Sequence, residues 1–269
     1  MKHPAVRYHG GKFRLAKWII GHFPEHRIYV EPFGGAANVL LQKERSYSEV
    51  YNDLSSDVVN FFQVLRDEAS RNKLTELCAL TPYSRAEFLH AYDDADEPIE
   101  LARRFVIRAC MGFGSASGSK GASGFRCDSK RAYATPAHLW ARFPSNFQSV
   151  AERLQGVIIE NKNAIDVIKK HDTSETLHYL DPPYLHSTRV MTNRRCDHEM
   201  TESEHVELLQ LAKQLKGSVV ISGYESELYN DLLNGFDKFT KTSRISAYRG
   251  TKVKQEVLWV KRCDYAILL

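Results

Sequence analysis

Asp181-Pro182-Pro183-Tyr184 closes the apolar run LHYL (177–180) and is the stretch of the chain best suited to chemistry. Proline fixes φ and carries no amide hydrogen, so the pair holds a carboxylate and free carbonyl oxygens in a set geometry. A planar NH2 group has two protons to donate, one to Asp181 and one to the carbonyl of Pro182. Its nitrogen lone pair is then left facing an electrophile, and Tyr184 can stack on the ring that bears the amine. This suits direct transfer to a conjugated exocyclic amine, a weak nucleophile that gains from orientation and from hydrogen bonds favouring pyramidal nitrogen. A sulfonium methyl donor would need no metal for that step. The plain alternative is a proline turn at a strand end.

Two glycine-bearing stretches lie further toward the N-terminus. EPFGGAAN (31–38) follows a predicted strand and opens a predicted helix, where glycine lets backbone approach a ligand. The next predicted strand ends at Asp53, about 20 residues on, the spacing at which an acid meets a ribose. Together they fit a nucleoside-bearing cofactor. They equally fit a tight turn with Asp53 capping a helix. YHGGK (8–12) sets two glycines and Lys12 before a helix without the spacing of a P-loop. Lys12 is placed to meet a carboxylate and Tyr8 to lie over a flat ring; a capped helix start with a solvated lysine is the alternative.

These residues need elements to position them. RLAKWIIGHF (14–23) has helical spacing, RIYVEPFGGAANVLLQ (27–42) reads as strand, turn and helix, and EVYNDLSSDVVNFFQVLRD (49–67) as strand and helix capped by Ser55 or Ser56. From 68 to 148 the strand signal fades. KLTELCAL, SRAEFLHAY and PIELARRFVIRACMGF are helical in pattern, and GSASGSKGASGFRCDSKRAYATP reads as a loop. Alternation resumes with GVIIEN, AIDVIKKH, TLHYLDPPY, ESEHVELLQLAKQLKG and SVVISGY, and the tail reads as two β segments around Arg249 and Gly250. The expectation is an α/β parallel sheet formed by 1–67 and 149–269, with a helical insert at 68–148.

Composition sets bounds. The 269 residues, 43% hydrophobic and 26% charged, are enough for a sizeable core. A net charge of +4 is compatible with a polyanionic partner. Cys78, Cys110, Cys127, Cys196 and Cys263 are odd in number and form no CxxC pair, which points to a reducing compartment and away from a zinc ribbon. His186, His198 and His205 share no helix face, so no metal site is expected. No apolar run approaches the roughly 18 residues of a membrane helix. A cytoplasmic location without membrane attachment is expected.

In order, RYHGGK, YVEPFGGAANVLL, VYNDLSSDVVNFF, IIENKNAIDVI and YLDPPY resemble the Dam-like DNA adenine methyltransferases, and most of all phage and prophage members, over nearly the whole chain. The resemblance implies a Rossmann-like sheet that uses S-adenosyl-L-methionine to methylate the exocyclic amine of adenine in double-stranded DNA. It assigns Asp181, Pro182, Pro183 and Tyr184 to the target adenine. Tyr8, Gly10, Gly11, Lys12, Glu31, Phe33, Gly34, Gly35 and Asp53 go to the cofactor, with Asp181 beside it. Many relatives have an aspartate that contacts the cofactor's adenine. Asn163 aligns there, with Asp166 the alternative.

Such an enzyme must grip a duplex and flip out a base. The segment 103–131 carries Arg103, Arg104, Arg108, Lys120, Arg126, Lys130 and Arg131 against the single acid Asp128. Lys120, Arg126, Lys130 and Arg131 are the candidate DNA contacts there, joined by Arg189 from the basic cluster Arg189, Arg194 and Arg195. A solvated loop with idle charges is the alternative. A monomer or weak dimer is expected. Rival substrates are cytosine, RNA adenine or a protein amide; relatives acting on the cytosine amine usually carry serine where Asp181 stands. A DNA-binding module without catalysis is a further rival, and a dehydrogenase lacks its glycine fingerprint.

Overall fold

Strands buried on both faces read as continuous apolar runs rather than alternating ones, and such strands form parallel sheets covered by helices. In the computed structural model, which describes residues 3–8, 10–113, 124–130, 134–185, 199–247 and 250–263, the runs at 176–180 and 218–223 are buried at every position. They are two strands of a seven-stranded sheet made of β1 (Ile28–Glu31), β2 (Ser48–Asn52), β3 (Val157–Glu160), β4 (Thr176–Leu180), β5 (Ser218–Gly223), β6 (Asp237–Ala247) and β7 (Gly250–Lys261). The order is β3-β2-β1-β4-β5-β7-β6. The first five are parallel; β7 runs antiparallel to β5, and β6 to β7. The chain therefore moves outward from β1 to β3 and then returns to β4 on the other side of β1. That reversal opens a crevice at the carboxyl ends of β1 and β4, where open α/β sheets bind ligands. Glu31 ends β1, and Asp181 directly follows β4.

The helices are α1 (Ala16–Ile20), α2 (Ser56–Arg66), α3 (Glu68–Leu80), α4 (Arg85–His90), α5 (Pro98–Met111), α6 (Pro136–Arg142), α7 (Phe147–Leu154), α8 (Ala164–His171), α9 (Glu202–Gln214) and α10 (Glu227–Leu232). Their starts follow local chemistry. Asp67, Ser84, Glu97 and Thr135 each accept an amide of the first turn, and Pro98 and Pro136 stand where a missing N–H costs nothing. None of the helices among the described residues is long and apolar enough to cross a membrane.

Helices do fill the stretch expected between β2 and β3, but they end at Leu154, because α7 runs through the expected boundary at 148. One hydrophobic cluster joins Tyr29, Tyr51, Leu177 and Tyr179 of the sheet to Leu74, Phe88, Trp140 and Phe147 of this layer. Phe61 of α2 is its hinge, with ring centroids 5.3 Å from Phe62, 5.7 Å from Phe105 and 5.6 Å from Phe147. Arg153 of α7 adds a polar clasp, donating to both oxygens of Glu49 in β2 at 2.6 and 2.9 Å.

Two local expectations change. α1 is shorter than 14–23. Residues 35–43 form successive turns instead of a helix, because Gly35 (φ 48°) and Ala37 (φ 52°) are left-handed and two carboxylates, from Asp53 and Glu31, take the amides of Gly35 and Leu40. The tail forms the expected hairpin, with Ala247 opposite Gly250.

Phe61→Ala should cost about 3–5 kcal/mol in urea unfolding. Wild-type tryptophan fluorescence and far-UV circular dichroism should report one coincident transition, since the helical layer and the sheet share that core; two separated transitions would contradict it.

Candidate active site

Asp181 leaves β4 half-buried and is held on two sides. Ser222, the penultimate residue of β5, donates to its Oδ1 at 2.7 Å, and Tyr179 OH lies 3.0 Å from the same serine hydroxyl. Lys12 Nζ lies 2.8 Å from Oδ1 and 3.0 Å from Oδ2. The same ammonium donates to the carbonyl of Gly10 at 3.1 Å and lies 3.5 Å from Glu256 Oε1 on β7. It also stands 4.6 Å from the centre of the Tyr184 ring. Tyr184 donates its hydroxyl to Glu256 and meets the Tyr224 ring edge-on at 4.4 Å. The crevice wall is thus a carboxylate, two aromatic rings and a cation shared between two acids.

Burial and charge compete here. Burial pulls the Lys12 pKa down most strongly, but Asp181 and Glu256 outweigh it and leave the ammonium above its ordinary value. Burial pushes Glu256 up against the opposing pull of Lys12 and the Tyr184 hydrogen bond. Glu31, at the end of β1, is pushed up to about 8 by burial although Tyr29 OH (2.7 Å) and the Leu40 amide (3.0 Å) both donate to it. It is a buried acid poised to ionise beside a cationic ligand.

The glycine turn lies against this wall. A Cβ on Gly34 would come 2.1 Å from the Tyr51 ring, and one on Gly35 2.8 Å from the Tyr8 ring, so the backbone runs flat against both aromatics. Phe33 packs on a separate buried cluster that includes Leu180, Leu208, Ile221 and Trp259. Gly11 donates its amide to the carbonyl of Tyr8. Asp53 accepts from Gly35 N at 2.7 Å through one oxygen and from Ser55 N at 2.8 Å through the other. It therefore does cap the turns, one oxygen to each amide. Asn52 and Lys162 pair in both directions, and Asn161 donates to the carbonyls of Asp53 and Leu54, which brings the start of α8 beside Asp53. Asn163 is exposed there and caps α8 through its own oxygen; Asp166 is exposed in the first turn. A cradle of backbone against aromatic rings, with a carboxylate at its rim, fits an adenosyl cofactor.

The basic segment differs from expectation. Arg103 pairs with Glu100 and Glu87, Arg104 with Glu100, and the buried Arg108 with Asp57, so these three cations balance acids outside the segment. Arg126, expected on an exposed loop, is 7% exposed. Its amide bonds to Met111 and its carbonyl takes the Tyr83 hydroxyl, next to the Gly112–Phe125 bridge that draws this stretch onto the helices. Lys130 is exposed as expected. Lys120, Arg131, Arg189, Arg194 and Arg195 lie outside the described residues.

Sequence reading brought Lys12, Asp181 and Tyr184 together but missed Ser222, Tyr224 and Glu256. SGY at the end of β5 carried the signal of a strand terminus, and Glu256 that of an acid opening the apolar run VLWV.

The family model described as "D12 class N6 adenine-specific DNA methyltransferase" matches residues 8–247. DNA adenine methylases from two strains of Vibrio cholerae serotype O1 are 36% identical over 63 residues, which is 23% of this chain and 22% of each relative's length. Among solved structures, an S-adenosyl-L-methionine-dependent methyltransferase of Agrobacterium tumefaciens aligns at 10% identity and a TM-score of 0.41, covering 94% of this chain and 62% of that one. A precorrin 8w decarboxylase of Methanobacterium thermoautotrophicum aligns at 11% and 0.39, covering 97% and 95%. Nothing about this chain's chemistry follows from those two.

Lys12→Met leaves Asp181 and Glu256 facing each other and should cost about 3 kcal/mol of stability at neutral pH. Because the folded-state pKa of Lys12 is raised above 10.5, this contribution is complete below that pH and lost as pH rises through the folded value. Urea midpoints of the two proteins should accordingly differ most at pH 7 to 9 and converge above pH 10.5.

Proposed function

The chain belongs to the D12 class N6 adenine-specific DNA methyltransferases, and we propose that it moves a methyl group from S-adenosyl-L-methionine to the exocyclic amine of an adenine flipped out of double-stranded DNA. The observation that carries this reading is Asp181, presented at the carboxyl end of β4, oriented by Lys12 and Ser222 and flanked by Tyr184 and Tyr224. When bound, S-adenosyl-L-methionine supplies a methyl group on a positively charged sulfonium and is left as the neutral thioether once the amine has taken the methyl and shed a proton.

Asp181 accepts a hydrogen bond from one N–H of the adenine amine, the carbonyl of Pro182 accepts one from the other, and Tyr184 stacks on the base. Lys12 orients the carboxylate through both of its oxygens. Tyr8, Gly10, Gly11, Phe33, Gly34 and Gly35 line the cofactor's path, Asp53 takes its ribose, Asn163 meets its adenine edge and Glu31 lies under its charged end. Flipping the base costs about a few kcal/mol, which contacts to the duplex must offset. The helical layer formed by α3 to α7 is the proposed target-recognition region, and Lys130 is its phosphate contact among the described candidates.

Labelled methyl transfer to unmethylated genomic DNA, followed by location of each modified base, tests the reading; label on adenine supports it and label absent from DNA defeats it. Asp181→Ala should abolish transfer while far-UV circular dichroism and affinity for the neutral S-adenosyl-L-homocysteine stay near wild type, because Glu256 still pairs with Lys12 and no cation is orphaned. Lys130→Ala should weaken DNA binding evenly across sequences and reduce the salt slope by about 1.

A further inference from the structure

Glu256, like Ser222 and Tyr224, belongs to the crevice and has no place in the sequence motifs. It sits on β7, two strands from β4, at 3% exposure, and it makes two contacts there: it accepts the Tyr184 hydroxyl and lies 3.5 Å from the Lys12 ammonium. A buried acid is costly unless something offsets it. Val257, Leu258, Trp259 and Val260 of the same strand are all buried, so an apolar residue at 256 would extend the core without that cost. Two consequences follow from the acid being there.

The first is geometric. Tyr184 is the ring assigned to the adenine, and its far end is tied to a different strand from the one that bears it. The ring is thereby set against Tyr224 and under Lys12 before any base arrives. The second is electrostatic. By formal charge Lys12 and Asp181 alone form a neutral pair, whereas the charged forms of Lys12, Asp181 and Glu256 sum to one negative charge, and the Lys12 ammonium and the Tyr184 hydroxyl both favour the charged form of Glu256 against its burial. An amine held by Asp181 must lie about 3–3.5 Å from the methyl group it accepts, so the donor's positive charge stands within several ångströms of this cluster.

We propose that Glu256 is a positioning residue of the transfer site: it fixes the Tyr184 ring from β7, competes with Asp181 for the Lys12 ammonium, and supplies the negative charge that makes the site prefer a cationic methyl donor to its neutral product. The proposal rests on the methyl-transfer reading above. Sharing Lys12 also leaves Asp181 able to accept a hydrogen bond from the amine, since the ammonium has a second acid to turn to when the base enters. The charge preference gives the site a reason to release the thioether after each transfer.

The test compares the full chain with Glu256→Gln, which keeps the shape and an acceptor for Tyr184 but removes the charge. Calorimetry measures affinity for S-adenosyl-L-methionine and for S-adenosyl-L-homocysteine, and single-turnover assays measure transfer to unmethylated DNA. The ratio of the two affinities should shift toward the neutral product by about tenfold, the order expected for one charge lost near a sulfonium in a partly buried site. Single-turnover transfer should slow by a similar factor. Glu256→Asp, which keeps the charge and loses reach to Tyr184, should slow transfer and retain the wild-type ratio; it is the decisive variant if Glu256→Gln does not fold. An unchanged ratio in folded Glu256→Gln, or a lost ratio in Glu256→Asp, overturns the proposal. Wild-type protein that binds neither cofactor overturns the methyl-transfer reading instead, and the proposal with it.

Discussion

A single ammonium holds the site together. Lys12 comes from the N-terminal segment, Asp181 from the end of β4 and Glu256 from β7, and no other group among the described residues bonds all three regions at one point. Its burial is tolerable only because two carboxylates face it, and theirs only because it faces them. The arrangement constrains the sheet as well as the crevice. β7 must be added antiparallel beside β5, in a register that sets Glu256 over Tyr184, or the cation has one partner too few and the tyrosine hydroxyl has none.

A second economy runs through the loops. Sharp turns at strand ends leave amides without partners, and buried amides need acceptors. Here the acceptors are Glu31 and Asp53, which take Leu40, Gly35 and Ser55. The carboxylates assigned to the ligand are thus the ones that shape the turn receiving it. Removing either would disturb the backbone before any ligand contact is lost, so a loss of binding in such a variant cannot by itself distinguish contact from support. Lys12 and Glu256 differ in this respect, since they act on side chains.

What was legible in the sequence was local. DPPY, the paired glycines and the strands before them each depend on a few adjacent residues whose conformation is nearly dictated, and each lies where it was expected. What failed depended on partners far along the chain. Arg103, Arg104 and Arg108 formed a basic run when counted by window, yet Asp57, 51 residues away from Arg108, and Glu87 neutralise two of them. The stretch that ends at residue 42 was expected to be helical after the glycine turn, yet acceptors from the ends of β1 and β2 and two left-handed residues gave turns. Glu256 was invisible as a site residue because only the β5–β7 pairing reveals what it faces.

The helical layer sharpens the same lesson for function. As an insert with its own core it could rotate against the sheet, and a grip on DNA would be linked only loosely to the crevice. With Phe61, Phe105 and Phe147 packed in one cluster with Tyr51, and Arg153 clasped to Glu49, it has no seam on which to turn. Tyr51 also donates to the carbonyl of Gly35, so the cluster reaches the glycine turn itself. Tight cores resist continuous deformation. The layer and the crevice are therefore held in a fixed relation to each other, and whatever binds across both meets one rigid surface.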